Sequence, residues 1–280
     1  MSGRYLSASG ADGWIYAAHG AQIFGAGRDL VIKSTHTCEA PIRALTATSR
    51  GVLVLLANRN LLRGDLGLQR WEHLMTGMSV CMTVHKAGEK ELVLGGALEG
   101  GLNALHLGID WSPVSVDCGT TSPLIRAIAA KGSLLFCLTH DGTLWKISLH
   151  ISGEKTLQAR FAKVSCLESP AIDCDGHIVC GPEGAYAAIT SDQCDERGWT
   201  RARIRLFDSA DCCLSEHQYS IAAPTACFYL EEKLICAVPE AWVEVATGTI
   251  IHRPTGYPLV AAVPTLPGAG IDSAGHLRMF

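Results

Sequence analysis

The sequence has little net charge and shows neither a membrane-spanning segment nor a secretory signal. Its 280 residues include 23 Lys and Arg against 27 Asp and Glu, a formal net charge of −4, so an overall basic surface for nucleic acid is missing. No apolar run approaches the roughly 18 residues that span a membrane. The first residues, Met-Ser-Gly-Arg-Tyr-Leu-Ser-Ala, lack the apolar segment of a secretory signal. We therefore expect an intracellular protein, cytoplasmic or nuclear, without a membrane partner.

Helical and catalytic patterns are missing as well. No stretch shows the apolar spacing of an amphipathic helix of a dozen residues. The nucleophile elbow, the phosphate-binding loop and the His-Glu-x-x-His zinc motif do not occur. Gly25-Ala26-Gly27 sits between strand-like runs with no helix after it, which excludes a dinucleotide fingerprint. The sequence thus predicts no catalytic residue and no cofactor, and it favours a protein that is not an enzyme without deciding the question.

Cysteine is plentiful, with 12 residues. Without a secretory signal a reduced state is expected, in which a free cysteine behaves as a small buried hydrophobe. Half of the cysteines lie within apolar strand-like runs: Cys81, Cys137, Cys174, Cys180, Cys227 and Cys236.

A repeated pattern of strands and Gly-bearing turns runs along the chain. Residues 122–149 contain Ser-Pro-Leu-Ile-Arg-Ala-Ile, an apolar run and Thr-His-Asp-Gly-Thr-Leu-Trp-Lys-Ile. Residues 40–66 and 169–189 follow the same plan. Several short strands in a repeat of about 40 residues are typical of a β-propeller. The sequence therefore predicts an all-β chain, residues 1–280 as a single propeller of about seven blades with mostly four antiparallel strands each, six or eight blades being open alternatives.

The repeat also predicts where each unit begins. The anchors of the first strands are Tyr5, Pro41, Ser79, Pro123, Pro170, Pro224 and Pro258. The last unit has room for only about three strands, so either the N-terminal strand completes it or it lacks an outer strand.

Two of these units resemble a known family. Ser-Pro-Ala-Ile-Asp-x-Asp-Gly-x-Ile followed by Gly-x-x-Gly-x-Tyr-Ala, at Ser169–Ile189, and the run His140–Ile147 resemble the repeat of PQQ-like (quinoprotein-type) propellers, within a superfamily that also takes in WD-repeat-like propellers. The resemblance implies the fold. For function it implies only that the adjacent Cys212 and Cys213 could lie beside a quinone cofactor, as in some quinoprotein alcohol dehydrogenases, although no Glu, Asn and Asp calcium ligands can be placed.

The interval at about 191–220 is the longest departure from the repeat and is expected to be an extended loop or outer-strand insertion. Side chains on a strand alternate between its faces, so Arg201, Arg203 and Arg205 would share one face and could grip an acidic peptide or phosphates. Trp199 and Phe207 would add aromatic anchors for a protein partner. A solvated outer strand, whose arginines protect a sheet edge, is the alternative.

Two groups of residues are candidate metal sites, with ordinary loops as the alternative for each. Zinc ligands could come from Cys194, Cys212, Cys213 and His217, although the spacing departs from known zinc motifs. A set of aspartates in turns could hold a cation through oxygen ligands: Asp12, Asp141, Asp173, Asp175 and Asp272. Asp-Gly pairs are also what tight strand connections need, so neither metal is predicted.

The sequence therefore predicts a non-catalytic β-propeller scaffold that binds one or more proteins within a multi-subunit assembly. A small-molecule or metal-dependent propeller enzyme or sensor, lactonase-like or quinone-dependent, is the alternative. RNA association through Arg201, Arg203 and Arg205 is a weaker one, with a salt-dependent affinity.

Overall fold

In a computed structural model, most of the described residues lie in β-strands, nearly all of them paired antiparallel. The structure describes residues 5–9, 13–87, 90–106, 111–153, 155–166, 176–195, 198–219, 226–238, 241–252, 259–262, 269–272 and 276–279. Its one helical element in these ranges is a 3₁₀ turn at Pro182–Gly184. No helix among the described residues has the length and apolar character of a membrane span. The expectation of an all-β chain is confirmed.

Contact density divides the chain into two compact units, residues 1–76 with 224–280 and residues 77–223. The first unit holds four sheets, in which strands follow one another in chain order. The first sheet consists of β1 (Tyr5–Ser9), β2 (Ile15–His19), β3 (Gln22–Ala26) and β4 (Ile32–Thr37). The second consists of β5 (Ile42–Thr48), β6 (Gly51–Leu56), β7 (Asn60–Gly64) and β8 (Trp71–Thr76).

The other two sheets of this unit come from the C-terminal part of the chain. One consists of β21 (Ala226–Leu230), β22 (Lys233–Val238), β23 (Ala241–Glu244) and β24 (Ile250–His252). The last has three described strands, β25 (Leu259–Ala262), β26 (Ala269–Asp272) and β27 (Leu277–Met279). Strand β1 pairs with β2 and not with this last sheet, so of the two alternatives for the short final unit, the described strands match the one without an outer strand.

The second unit contains an eight-stranded and a four-stranded sheet. The eight strands are β9 (Met78–Ala87), β10 (Lys90–Ala97), β11 (Leu102–His106), β12 (Pro113–Asp117), β13 (Ile125–Lys131), β14 (Leu134–Thr139), β15 (Thr143–Gly153) and β16 (Thr156–Cys166). The last four are β17 (Gly176–Cys180), β18 (Tyr186–Asp195), β19 (Gly198–Phe207) and β20 (Cys213–Tyr219). The eight-stranded sheet is two antiparallel groups joined by a parallel ladder between β12 and β16.

The predicted anchors locate the first strand of each group well. Six of the seven first strands begin within two residues of their anchor. For the seventh, Pro170, residues 167–175 lie outside the described residues and β17 begins at Gly176. Pro before an apolar run marks a strand start because Pro has no N–H to give to a ladder and is tolerated at a first position.

The cores lie between neighbouring sheets. In the first unit, Tyr16, Ile23, Val52 and Val54 are fully buried in one cluster between the first two sheets. In the second, Phe136, Tyr186 and Phe207 form a cluster between the β13–β16 strands and the β17–β20 sheet. The continuously apolar strands β6 and β14 are buried along nearly their whole length, because each of their faces packs against another layer.

Candidate interaction surface

Residues 191–220, expected to be an insertion, fall mainly in the end of β18, in β19 and in β20. Strands β18 and β19 have ten residues each, against a usual strand length of about five or six. The stretched interval in the repeat therefore corresponds to a long hairpin.

Arg205, on β19, forms hydrogen bonds to residues of two other strands of the second unit, β20 and β16. It stands opposite Glu216 on β20, and its Nε donates to Glu216 Oε2 at 2.6 Å. One of its terminal nitrogens donates to the carbonyl oxygen of Cys166, at the end of β16, at 3.1 Å. The hydrogen bond from Arg205 holds the pKa of Glu216 below its ordinary value. The Arg205 guanidinium thus already has a carboxylate and a carbonyl as acceptors.

Arg203 and Phe207 lie on the same face of β19 as Arg205, as the alternation predicts. Arg203 is half-buried. The Phe207 ring is 2% exposed and stacks on Tyr186 with ring centroids 5.0 Å apart and planes at 7°. This face of β19 is directed at the neighbouring strands β13–β16, so Phe207 is a core residue that no partner can contact in the folded chain.

Trp199 and Arg201 belong to the distal half of the hairpin. Their backbones pair with those of Cys194 and Gln193 on β18, while their side chains lie outside the described residues. The described residues of β17 pair with β18 as far as Thr190, and those of β20 pair with β19 from Ala202 onwards. The residues that precede β17 and follow β20 lie outside the described part of the chain.

A second long hairpin, β15–β16, was not singled out from the sequence. Both strands have eleven residues. Strand β14 pairs with β15 only through Leu144–Lys146, so within the described part of the chain the edge of β15 from about Leu149 to Gly153 has no neighbouring strand. Ile151 on this segment is 46% exposed. The signal in the sequence was the length of the run from Thr143 to Cys166 between two turns.

The neighbouring ladder fixes which backbone groups of β15 point to this edge. The N–H of Ser115 on β12 donates to the carbonyl of Lys155 at 3.0 Å, and successive residues of a strand direct their backbone groups to opposite sides. Leu157 therefore faces β12, and Gln158, the partner of His150, faces β15. It follows that the backbone groups of Leu149 and Ile151 point away from β16, to the unpaired edge.

A charged cluster anchors the turn between β19 and β20. Lys146 Nζ lies 2.9 Å from Asp211 Oδ2, and the Tyr186 hydroxyl donates to Asp211 Oδ1 at 3.1 Å. Burial, and next the charge of Asp211, raise the pKa of Tyr186 far above its ordinary value, so its hydroxyl is a donor and not a base. The three residues are far apart in sequence, and no local pattern could have connected them.

The candidate zinc ligands are not held together. Cys213 and His217 lie on the same strand, β20, four residues and thus roughly 13 Å apart along an extended chain, whereas zinc ligands lie within about 2.3 Å of the metal. The Sγ of Cys212 and that of Cys213 are 3.9 Å and 3.6 Å from backbone carbonyls nearby, and both residues are exposed. The side chain of Cys194 lies outside the described residues. No three His, Cys, Asp or Glu side chains cluster in the described part of the chain.

The turn aspartates that are described serve their own turns. Asp141 Oδ1 accepts from the N–H of Thr143 at 3.0 Å and from the hydroxyl of Thr139. Burial opposes the ionisation of Asp141, but these hydrogen bonds outweigh it and lower its pKa. Asp272, which is 1% exposed, forms an ion pair with Arg278, whose Nε lies 2.7 Å from Asp272 Oδ2. The other three candidates, Asp12, Asp173 and Asp175, lie outside the described residues.

Comparison with known proteins identifies the fold. No protein-family model matches the chain, and no curated protein sequence matches it. Among solved structures, the chain is similar to the β-propeller domain of Cps50 (Swd1) from Myceliophteria thermophila, with a TM-score of 0.63 and 10% identity over 87% of this chain and 80% of that one. It is also similar to BamB from Moraxella catarrhalis, with a TM-score of 0.55 and 12% identity over 96% and 82% of the two chains.

These similarities confirm the β-propeller fold. At such identities they show the fold alone, because one propeller fold serves many unrelated functions.

Proposed function

We propose that this protein is a non-catalytic β-propeller scaffold that binds protein partners within a larger assembly. The observation that carries the proposal is the long hairpin β15–β16, in which the distal edge of β15 has no neighbouring strand among the described strands. A free strand edge is a template for pairing with an extended segment of another chain. The fold shared with the two solved propellers is compatible with such a role.

The β15 edge is the better defined of the two docking sites. Ile147 is buried in the core of the eight-stranded sheet and Leu149 packs against that core, so Ile151 continues an apolar stripe into solvent. A partner strand beside β15 would pair its backbone with Leu149 and Ile151 and cover the Ile151 side chain. Main-chain pairing of this kind supplies affinity, and side-chain pockets supply specificity.

The β18–β19 edge carries the residues singled out from the sequence. We propose that Trp199 and Arg201, on the distal half of β19, contact the partner, and that Arg203, which lies next to that half, adds to the contact. Arg205 does not face the partner: it binds Glu216 and the Cys166 carbonyl and so holds β19 in place against β20 and β16. Phe207 is left out of the docking surface because it is buried.

Two further proposals concern the number of blades and the location. We propose that the eight-stranded sheet corresponds to two blades bridged by the β12–β16 ladder, which gives seven blades with the other five sheets. We further propose an intracellular location, in which the nine described cysteines stay free thiols.

The test is quantitative co-purification from the native cell with three variants. Ile151→Pro removes one N–H from the β15 edge without touching the ladder to β16, and Trp199→Ala with Arg201→Glu alters the β19 edge. Ile32→Ser is the matched control, since Ile32 is 49% exposed on an outer strand of the other unit. We expect a protein retained by wild type and by the control to be lost with one or both edge variants. Equal retention by all variants would refute docking at these edges.

A further inference from the structure

Cys227 and Cys236 face each other across two strands of the first unit. They are direct partners in the antiparallel pairing of β21 with β22, and their Sγ atoms are 3.0 Å apart. Cys236 is fully buried, whereas Cys227 is half-buried. Two thiols thus lie in contact, with one of them closer to solvent.

The pairing geometry is compatible with a disulfide. The two-residue turn Glu231-Glu232 closes the hairpin between Leu230 and Lys233, so the pairs alternate between hydrogen-bonded and non-hydrogen-bonded from that point. The Leu234 carbonyl accepts from the N–H of Val245, on the far side from β21. Cys236, two residues on, also directs its backbone groups away from β21, so it forms a non-hydrogen-bonded pair with Cys227.

In such a pair the Cα atoms are about 4.5 Å apart, which lies within the roughly 4.4–6.8 Å that a disulfide needs. The Sγ atoms would have to approach by roughly 1 Å to reach the bond length of about 2.05 Å, a distance that side-chain rotation covers.

We propose that Cys227 and Cys236 form a modification site for peroxides, at which the dithiol is oxidised to a cross-strand disulfide. Cys227 attacks one oxygen of hydrogen peroxide; the O–O bond breaks, a sulfenic acid forms on Cys227 and one water leaves. The Cys236 sulfur then attacks the sulfenic sulfur, the S–S bond forms and a second water leaves. Two thiols and one peroxide thus give one disulfide and two waters.

The environment of the pair assigns these two roles. The hydrogen bond between the two sulfurs, together with burial, raises the pKa of Cys236. Since the thiolate is the nucleophile, the first attack falls to the half-buried Cys227, and the buried Cys236 resolves the sulfenic acid it touches.

The site is distinguished from the other thiols of the chain. Cys212 and Cys213 are exposed, but they are adjacent along the chain rather than opposite each other on two strands. Cys137 stands opposite Trp145 and Cys180 opposite Tyr186. Among the described strand pairings, therefore, Cys227 and Cys236 are the one pair of cysteines that stand directly opposite each other.

The test is peroxide treatment of the folded full-length chain, alkylation of the remaining thiols and proteolysis after glutamate. This cleavage puts Cys227 in peptide 217–231 and Cys236 in peptide 233–240, each with one cysteine. We expect the two peptides to be recovered joined, lighter by two hydrogen atoms and separable by a reductant. The double variant Cys212→Ala with Cys213→Ala, the control, should give the same product.

The single variants test the order of the steps. In Cys236→Ala, a carbon-nucleophile probe for sulfenic acids should label Cys227, and the wild type should show little of this label. In Cys227→Ala, Cys236 should stay unoxidised at the same peroxide dose. The proposal is overturned if both peptides of the wild type remain fully alkylated while Cys212 and Cys213 are oxidised, or if Cys227 accumulates as sulfenic acid without forming the joined product.

Discussion

Replacement of Phe207 by Ala tests whether Phe207 is a core residue or a docking residue. The ring is 2% exposed and packs in a cluster with Phe136, Leu138 and Tyr186. Removing a buried Phe side chain costs the lost transfer free energy together with the cavity that remains, about 3–5 kcal/mol. An exposed contact residue would change the free energy of unfolding by no more than about 0.5 kcal/mol.

The assay is urea unfolding followed by circular dichroism, which reports the free energy of unfolding of each variant. Leu214→Ala is the control, because Leu214 is 65% exposed on the adjacent strand β20 and its loss should cost at most about 0.5 kcal/mol. If Phe207→Ala destabilises the chain by less than about 1 kcal/mol but weakens partner binding, the assignment of Phe207 to the core is wrong.

Three further predictions use the same unfolding measurement. Tyr186→Phe, which removes a hydrogen bond to a carboxylate, should lower the free energy of unfolding by about 1.5 kcal/mol; no change would exclude that bond. The pKa of Glu216 is lowered in the folded state, so its ion pair with Arg205 stabilises the fold above the unfolded pKa of about 4.3, by less than about 1 kcal/mol for a pair exposed this much, and this stabilisation is lost as pH falls below that value. Glu216→Gln should therefore lower the free energy of unfolding at pH 7 and leave it unchanged at low pH. A difference that does not depend on pH would contradict the ion pair. Gly51→Ala should lower the free energy of unfolding by several kcal/mol, since φ is +138° and a Cβ would lie 2.0 Å from the Gly64 carbonyl oxygen. Gly20→Ala, with open space around the Cβ and a φ of +59°, should lower it by about 1 kcal/mol. Equal losses of stability in the two variants would contradict this account.

The strands were predictable from the sequence because strand signals are local. Pro or Ser before an apolar run, and Gly or Asp in the turns, mark starts and ends without knowledge of the neighbours. This is why first strands such as β5 and β25 begin within two residues of Pro41 and Pro258. The number of strands in the last sheet, by contrast, depended on whether β1 joins it, which is a matter of long-range pairing.

The site was less predictable, because period-two alternation tells which side chains share a face but not what that face meets. Arg203, Arg205 and Phe207 do share one face of β19, and that face is directed at the neighbouring sheet instead of at solvent. Arg205 can lie there because Glu216 and a carbonyl satisfy its guanidinium, as a partly buried charge requires. The contact of Lys146 with Asp211 joins residues 65 positions apart, which no local pattern contains.

Hydrogen–deuterium exchange of the chain alone and in its purified assembly tests the central claim, that partners dock on the hairpin edges, most directly. In the free chain the amides of Leu149 and Ile151 point to an unpaired edge and should exchange rapidly, while that of His150, directed to β16, should be slower. On assembly we expect Leu149 and Ile151, or the distal residues 191–201, to become protected. Protection confined to other parts of the chain, with both hairpins exchanging as in the free protein, would contradict the account.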